Sequence, residues 1–258
     1  MKISIITATY NSEKTLRDTL DSILSQTYQD WEVIIEDGCS KDGTLSIARE
    51  YEPLCKGRMH IYSEKDNGLY DAMNRGIARA TGDIVGILNS DDFYFDERVL
   101  EDIADAFMRK DVDCVYGNLV FIDEKAPHKI LRIWKGSQHV CGAFLRGWHP
   151  AHPTFYAKRI WFERFGAFNL QYAVSADFEL MLRFIEKGQI RNAYVDRYFV
   201  KMRMGGESTG SIHNIITGNR NILRALRDNG FKPAGTYLIR RLIPKIWNRF
   251  KLKIKISR

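Results

Sequence analysis

The sequence is poor in the features that staple a chain or span a membrane. It has four cysteines in 258 residues, Cys39, Cys55, Cys114 and Cys141, with no CxxC pair among them. Neither a zinc ribbon nor a disulfide framework is expected, and reduced thiols are the default. No apolar run approaches the roughly 18 residues that a membrane-crossing helix needs. Met1 leads straight into a strand without the charged, apolar and cleavage-site order of a signal peptide, so a cytoplasmic location is expected. There is no internal repeat and no low-complexity tract. Acid is absent from the last segment: Phe231 to Arg258 hold nine basic residues and no Asp or Glu. The other 230 residues carry 30 basic against 32 acidic, so the formal charge of +7 belongs to that segment and not to the fold.

What is present is a globular composition, 45% hydrophobic and 12% aromatic, in a length that suits one large α/β domain or one domain with an appendage. Strand and helix patterns alternate from the start, which argues a mainly parallel, helix-covered sheet. Strands are expected at Ile3 to Ala8, Trp31 to Ile35, Met59 to Tyr62 (an edge) and Ile84 to Leu88. Helices are expected after Asn11 and Ser12, which offer an N-cap, from Thr44 to Tyr51 and from Tyr70 to Ala80. The rhythm then changes: a helix from Glu97 to Arg109, strands at Val112 to Ile122 and Ile130 to Trp134, a loop from Gly136 to Pro153, a helix from Asp177 to Lys187, a strand from Asn192 to Met202, and a helix from Ile212 to Asn229.

The stretch Gly82 to Asp92, GDIVGILNSDD, is the most informative. Its buried strand delivers Asp91 and Asp92 to the carboxyl end of the sheet, where α/β proteins bind ligands. Hard carboxylate oxygens suit Mg²⁺ or Mn²⁺, which take one or two protein carboxylates and complete their shell with substrate phosphates. The alternative for Asp92 is an N-cap of the following helix.

Thr7-Ala8-Thr9-Tyr10-Asn11, Glu36-Asp37-Gly38 with Ser40 and Asp42-Gly43-Thr44, Asp66 with Gly68-Leu69-Tyr70-Asp71-Ala72-Met73-Asn74-Arg75-Gly76, and Asn89-Ser90-Asp91-Asp92 occur in this order. Together they resemble the family 2 glycosyltransferases of GT-A fold, densely over about the first 95 residues and more thinly to about Arg220. The resemblance implies a Rossmann-like α/β sheet flanked by helices with a C-terminal helical and basic extension. Residues 1–230 would form the transferase domain, with a nucleotide-binding half (1–95) and an acceptor half (96–230), and 231–258 an amphipathic extension. It also implies transfer of a sugar, with inversion, from a UDP-, GDP- or dTDP-sugar to an acceptor hydroxyl, plausible in cell-surface polysaccharide or lipid-linked oligosaccharide synthesis.

Roles follow position by position. Thr7, Thr9 and Tyr10 end the first strand, where hydroxyls and an aromatic face can meet base and ribose; strand propensity is the plain alternative. Asp37 reads the base in the family, or forms the turn before Gly38. Asp66, Asn74, Asn89 and Ser90 are candidate nucleotide or sugar contacts, and Arg75 accompanies Asn74. The family's metal motif has Asp where this chain has Asn89, which leaves Asp91 as the principal ligand and Asp92 as the second. Ser175-Ala176-Asp177-Phe178-Glu179 with Arg183 matches the family's general-base helix, with Asp177 as base and Glu179 behind it, or Asp177 as a cap. His149, His152, Glu179 and His213 are possible acceptor or phosphate contacts. Gly205-Gly206 with Ser208 is a closing loop or a helix boundary.

From Thr236 onward, Tyr237, Leu238, Trp247 and Phe250 interleave with Arg240, Arg241, Lys245 and Arg249. This pattern suits peripheral attachment to an anionic membrane surface at the inner face of the cell membrane. An edge strand or a solvated tail are the alternatives, and no nucleic-acid module accompanies the charge. The rival functions are a nucleotidyltransferase, which would show a Gly- and Lys-containing phosphate loop that Thr7 to Ser12 lacks, and a non-catalytic nucleotide-sugar scaffold.

Overall fold

The computed structural model describes residues 1–124, 126–204 and 212–241. The first half follows the expected alternation: β1 Ile3–Thr9, α1 Leu16–Leu24, β2 Trp31–Asp37, α2 Thr44–Tyr51, β3 Met59–Ser63, α3 Leu69–Arg79 and β4 Ile84–Ile87. These four strands are parallel in the order β3-β2-β1-β4. β1 and β2 are buried along their whole length, so apolar residues stand on both faces of each (Ile5-Ile6, Val33-Ile34-Ile35), and the polar pair inside them is satisfied by the bond from Ser4 Oγ to Glu32 at 2.6 Å. The order reverses beside β1, which opens a crevice at the carboxyl ends of β1 and β4.

The second half is mixed. It contains β5 Phe93–Tyr94, α4 Val99–Lys110, β6 Cys114–Ile122, β7 Ile130–Trp134, β8 Tyr156–Lys158, α5 Arg159–Phe165, α6 Ala176–Met181, β9 Asn192–Arg203 and α7 Ile212–Asp228. Helix α6 runs on as a π-helical stretch, Leu182–Lys187. β8 is antiparallel to both β4 and β6, and so joins the two halves into one sheet. β9 runs parallel to β6 and antiparallel to β5.

Two apolar cores lie on the two faces. Leu16, Leu20 and Ile23 of α1, Ile47 of α2 and Ile103 and Phe107 of α4 pack with Ile3, Ile5 and Val33. Met73 and Ile77 of α3, Phe178 of α6 and Ile222 and Leu226 of α7 pack with Ile6, Ile34 and Val85. Gly86 is required at the join: a Cβ there would stand 2.0 Å from the Tyr156 ring, whose hydroxyl is fixed 2.8 Å from that of Tyr94.

Three expectations are corrected. β5, β8 and α5 were not expected, since strands of two or three residues carry no readable period. Asn11 and Ser12 do not cap α1, which begins after Thr15 without a side-chain cap. They bridge loops instead: Ser40 Oγ accepts from the Asn11 amide at 2.9 Å, and Thr44 Oγ1 from the Ser12 amide at 2.7 Å. The third concerns the break at residue 230. Tyr237 is 1% exposed and Phe231 and Leu238 pack on the second core, so the chain to Arg241 is continuous with the domain.

Candidate functional site

The carboxyl ends of the first three strands meet in a network of hydroxyls and carboxylates. Asp37, buried at the end of β2, accepts from Thr9 Oγ1 (3.1 Å), from the Ser40 amide (3.0 Å) and hydroxyl, and from Ser63 Oγ (2.7 Å). Four donors fill a carboxylate's capacity, so Asp37 organises the turn. Asp66 lies across that turn: a Cβ on Gly38 would meet Asp66 Oδ2 at 2.5 Å and the Tyr10 ring at 3.4 Å. The absent side chain of Gly38 lets these two groups converge, and Tyr10 stands 63% exposed at the rim. Thr7 Oγ1 is buried without a hydrogen-bond partner.

At the end of β4, Ser90 and Ser12 hydroxyls lie 2.8 Å apart, and Asn89 Oδ1 is buried and unpartnered. Asp91 is partly buried, whereas Asp92 is fully buried. Asp92 does not cap α4, which starts at Val99. Its carboxylate instead accepts from the Arg203 amide at 3.3 Å and from Asn89 Nδ2 at 3.4 Å. Burial first, and then the neighbouring Asp91, push the Asp92 carboxyl well above its usual range. A cation here would relieve that repulsion and meet the orphaned Asn89 oxygen, so the donor set fits a hard divalent metal. Among the described residues, no group of three or more His, Cys, Asp or Glu is placed to hold one, so substrate oxygens would complete the shell.

Arg203 was not singled out from sequence. It closes β9 and is 7% exposed; its guanidinium donates to the Asp91 carbonyl at 2.6 Å and pairs with Asp18 of α1. A buried arginine in a strand leaves no sequence signal beyond its alternation with apolar neighbours.

Across the crevice, Tyr70 at the start of α3 donates to Asp177 Oδ1 at 3.2 Å, a contact spanning 107 residues. Asp177 sits in the first turn of α6, where the helix dipole favours an anion, after Ser175 in a left-handed conformation (φ 73°). His152 lies beside Phe168, rings 5.7 Å apart, with Nε2 sealed from solvent.

Other candidates have different partners. Asn74 gives both ends of its amide to the Phe168 backbone, at 2.8 Å each, and Arg75 pairs with Asp71 and Glu64. Glu179, two residues from Asp177 and so on another face of the helix, is bound at both oxygens by Arg183 at 2.9 Å and by Asn229 at 3.1 Å. These residues line a cavity of about 530 Å³ that does not include Asp177. His149 packs between Trp134 and Phe178. Gly205, Gly206 and Ser208 lie outside the described residues, as does the side chain of His213 in the first turn of α7.

Comparison with known proteins bears on the family and the fold. The family model described as "Glycosyl transferase family 2" matches residues 4–168. A "PGL/p-HBAD biosynthesis glycosyltransferase" of Mycobacterium bovis is 31% identical over 218 residues, covering 77% of this chain and 82% of that protein. Among solved structures, S. aureus TarS 1–349 in complex with UDP-GlcNAc matches with a TM-score of 0.71 at 20% identity, over 100% of this chain and 77% of that one. The mannosyltransferase PcManGT of Pyrobaculum calidifontis, in complex with GDP-Man and Mn²⁺, matches at 0.64 and 21% identity, over 88% and 63%. These structural likenesses establish the GT-A fold.

Replacing Arg203 by Ala removes a charged donor from the Asp91 carbonyl and leaves Asp18 unpaired. Denaturant unfolding should show a loss of about 1–3 kcal/mol. Unchanged stability would show that this clamp is not structural.

Proposed function

Because the chain belongs to glycosyl transferase family 2 and is a glycosyltransferase, we propose that it moves a sugar, with inversion, from a nucleoside diphosphate to an acceptor hydroxyl. The carrying observation is the Tyr70–Asp177 hydrogen bond, which holds a carboxylate of the acceptor half against the nucleotide half. UDP-, GDP- and dTDP-sugars are the donor classes considered. The UDP-GlcNAc of the TarS complex and the GDP-Man of the mannosyltransferase complex support that range. The mycobacterial relative, a biosynthetic glycosyltransferase for PGL/p-HBAD, supports a role in glycolipid or surface-polysaccharide synthesis.

On the donor side, Tyr10 offers its face to the base, and Asp66, Ser90 and Asn89 offer polar atoms to ribose and phosphate. Thr7 Oγ1 supplies an unmet hydrogen bond in the crevice floor. A base N–H that reaches Asp37 replaces Thr9, its longest hydroxyl contact. Asp91, assisted by Asn89 and Asp92, would hold Mg²⁺ or Mn²⁺, and the Mn²⁺ of the mannosyltransferase complex supports a metal there. Such a cation neutralises charge on the departing diphosphate. Asp177 takes the proton of the acceptor hydroxyl as its oxygen bonds the anomeric carbon and the bond to diphosphate breaks; Tyr70 occupies Oδ1, which leaves Oδ2 to accept.

The acceptor is a sugar or lipid-linked sugar brought from an anionic membrane surface, by this reading, through residues 242–258. These hold six basic residues and no acid and lie outside the described structure. Among the described residues no helix is long and apolar enough to cross a membrane.

Asp91→Ala should abolish metal-dependent binding of a nucleoside diphosphate, read by calorimetry with and without Mn²⁺; equal metal dependence in both proteins removes Asp91 from the metal. Asp177→Asn should keep donor affinity and lower turnover by about 10²–10⁴-fold, since a positioned base acts on the transition state. Lost affinity with normal turnover would make Asp177 a binding residue. Deleting residues 242–258 should weaken flotation with anionic vesicles in a salt-dependent manner. Undiminished flotation of the truncated chain excludes the membrane role.

A further inference from the structure

The carboxylate read as the base and the groups read as donor contacts stand on different halves of the chain, and helix α3 touches both. It begins after Gly68, whose amide donates to Asp66 Oδ1 at 2.9 Å, where Asp66 converges with Tyr10 across Gly38. Met73 and Ile77 bury one face of the helix in the second core. Tyr70 and Asn74, four apart and so on one side of it, reach the segment that runs from Phe165 to Asp177. Tyr70 donates to Asp177 Oδ1 at 3.2 Å and meets the Phe168 ring, centroids 5.2 Å apart. Burial, and then the charge of Asp177, push the Tyr70 phenol far above its ordinary range, so it stays protonated and donates.

Asn74 holds the same segment by its backbone. Its Nδ2 donates to the Phe168 carbonyl and its Oδ1 accepts from the Phe168 amide, both at 2.8 Å. Phe168 lies in neither helix nor strand, and a side-chain amide offers it a donor and an acceptor side by side, as a neighbouring strand would. Two bonds from one short side chain fix both the position and the direction of that residue. The Phe168 ring is buried and meets His152 as well as Tyr70, so the clasp holds it in a packed place. Further bonds tie the segment to its own half: the Arg183 guanidinium donates to the carbonyls of Phe165, Gly166 and Ala167, the Tyr172 hydroxyl to Asp228 at 2.6 Å, and Asn221 to the Val174 carbonyl at 2.8 Å. Those bonds set the segment against α7 and the continuation of α6. Asn74 and Tyr70 set it against the helix that starts beside Asp66.

Resting on the reading of Asp177 as the base, we propose that Asn74 is a positioning residue for transfer: its clasp on Phe168 sets where the segment that ends in Asp177 stands relative to the donor nucleotide. A base displaced from the acceptor hydroxyl loses rate in the transition state and leaves ground-state binding of the donor as it was. A displacement of about 1 Å caused by a substitution away from the chemistry can lower the rate about 10²-fold.

The test uses full-length wild type, Asn74→Ala, Asn74→Asp, Asp177→Asn and the Asn74→Ala/Asp177→Asn double variant. Asn74→Asp keeps the size of the side chain but sets an oxygen against the Phe168 carbonyl, and it takes the place of Asn74→Ala if that variant does not fold. Hydrogen exchange reads the clasp without turnover. In Asn74→Ala the amides of residues 168–177 should exchange faster while those of β1 and β2 keep their rates, and unchanged exchange over 168–177 overturns the proposal. Release of nucleoside diphosphate from whichever of UDP-GlcNAc and GDP-mannose is turned over then gives kcat and the donor KM. Both Asn74 variants should lose about 10–100-fold in kcat at an unchanged donor KM. Adding Asn74→Ala to Asp177→Asn should bring no further loss, because the effect passes through the base. A raised KM with normal kcat would make Asn74 a donor contact, and a multiplied loss in the double variant would show that it acts on something other than Asp177; either result overturns the proposal. If Asp177→Asn turns over normally, the base reading falls. If it loses turnover while folded Asn74→Ala keeps it, the base reading stands and the positioning role falls.

Discussion

Arg203 joins the two halves of the molecule at the turn that follows β4. Its amide reaches Asp92, its guanidinium reaches the Asp91 carbonyl, and the same group pairs with Asp18 on α1. The turn that carries the metal-site candidates is therefore held from β9 and from α1, while its own strand ends at Ile87. A buried arginine is tolerated only when its donors are met, and here two of its partners are parts of the site. The constraint also explains why β5 exists: two residues of pairing, Phe93 with Lys201 and Tyr94 with Val200, keep the segment after Asp92 in register with the end of β9.

The loops at the carboxyl ends of β1, β2 and β3 obey a different rule. Thr9, Asn11, Ser12, Ser40, Asp42, Thr44 and Ser63 are short polar side chains that bond one another and the backbone across three loops. Short side chains lose little rotamer freedom on ordering, so such a lattice is held at low entropic cost. The second half is built on large rings instead, among them Trp134, Phe144, Trp148, His149 and Phe178, meeting edge to face.

The parallel half was legible because strands buried on both faces, such as Ile3–Thr9 and Trp31–Asp37, carry adjacent apolar residues (Ile5-Ile6, Val33-Ile34-Ile35) rather than a strict alternation, and because each is followed at once by its polar loop. The positions of Asp91 and Asp177 followed from strand and helix ends. Direction did not. Asn74 was expected at the sugar but clasps Phe168, 94 residues away, which no local spacing reveals. Glu179 was expected behind the base, although Arg183 one helical turn on was a visible sign of pairing along the helix. Tyr156–Lys158 is three residues long, and only Gly86, the vacancy into which its tyrosine fits, marks where it docks.

The break expected at residue 230 failed for a related reason. Charge counted along the sequence separates the basic segment from a domain of nearly balanced charge, but a side chain is assigned to a domain by what it packs on. Tyr237 and Arg241 stand four apart, one helical turn, with the tyrosine in the core and the arginine beside Asn219. Composition classed Arg241 with the lysines that follow it, whereas its contacts class it with Asn219 and Gly147 of the domain. Arginine cannot shed its charge on burial as lysine can, and its planar fork holds a fixed direction, so the bond from Arg241 to Asn219 ties this segment to α7 in a way that a count of basic residues along the chain does not show.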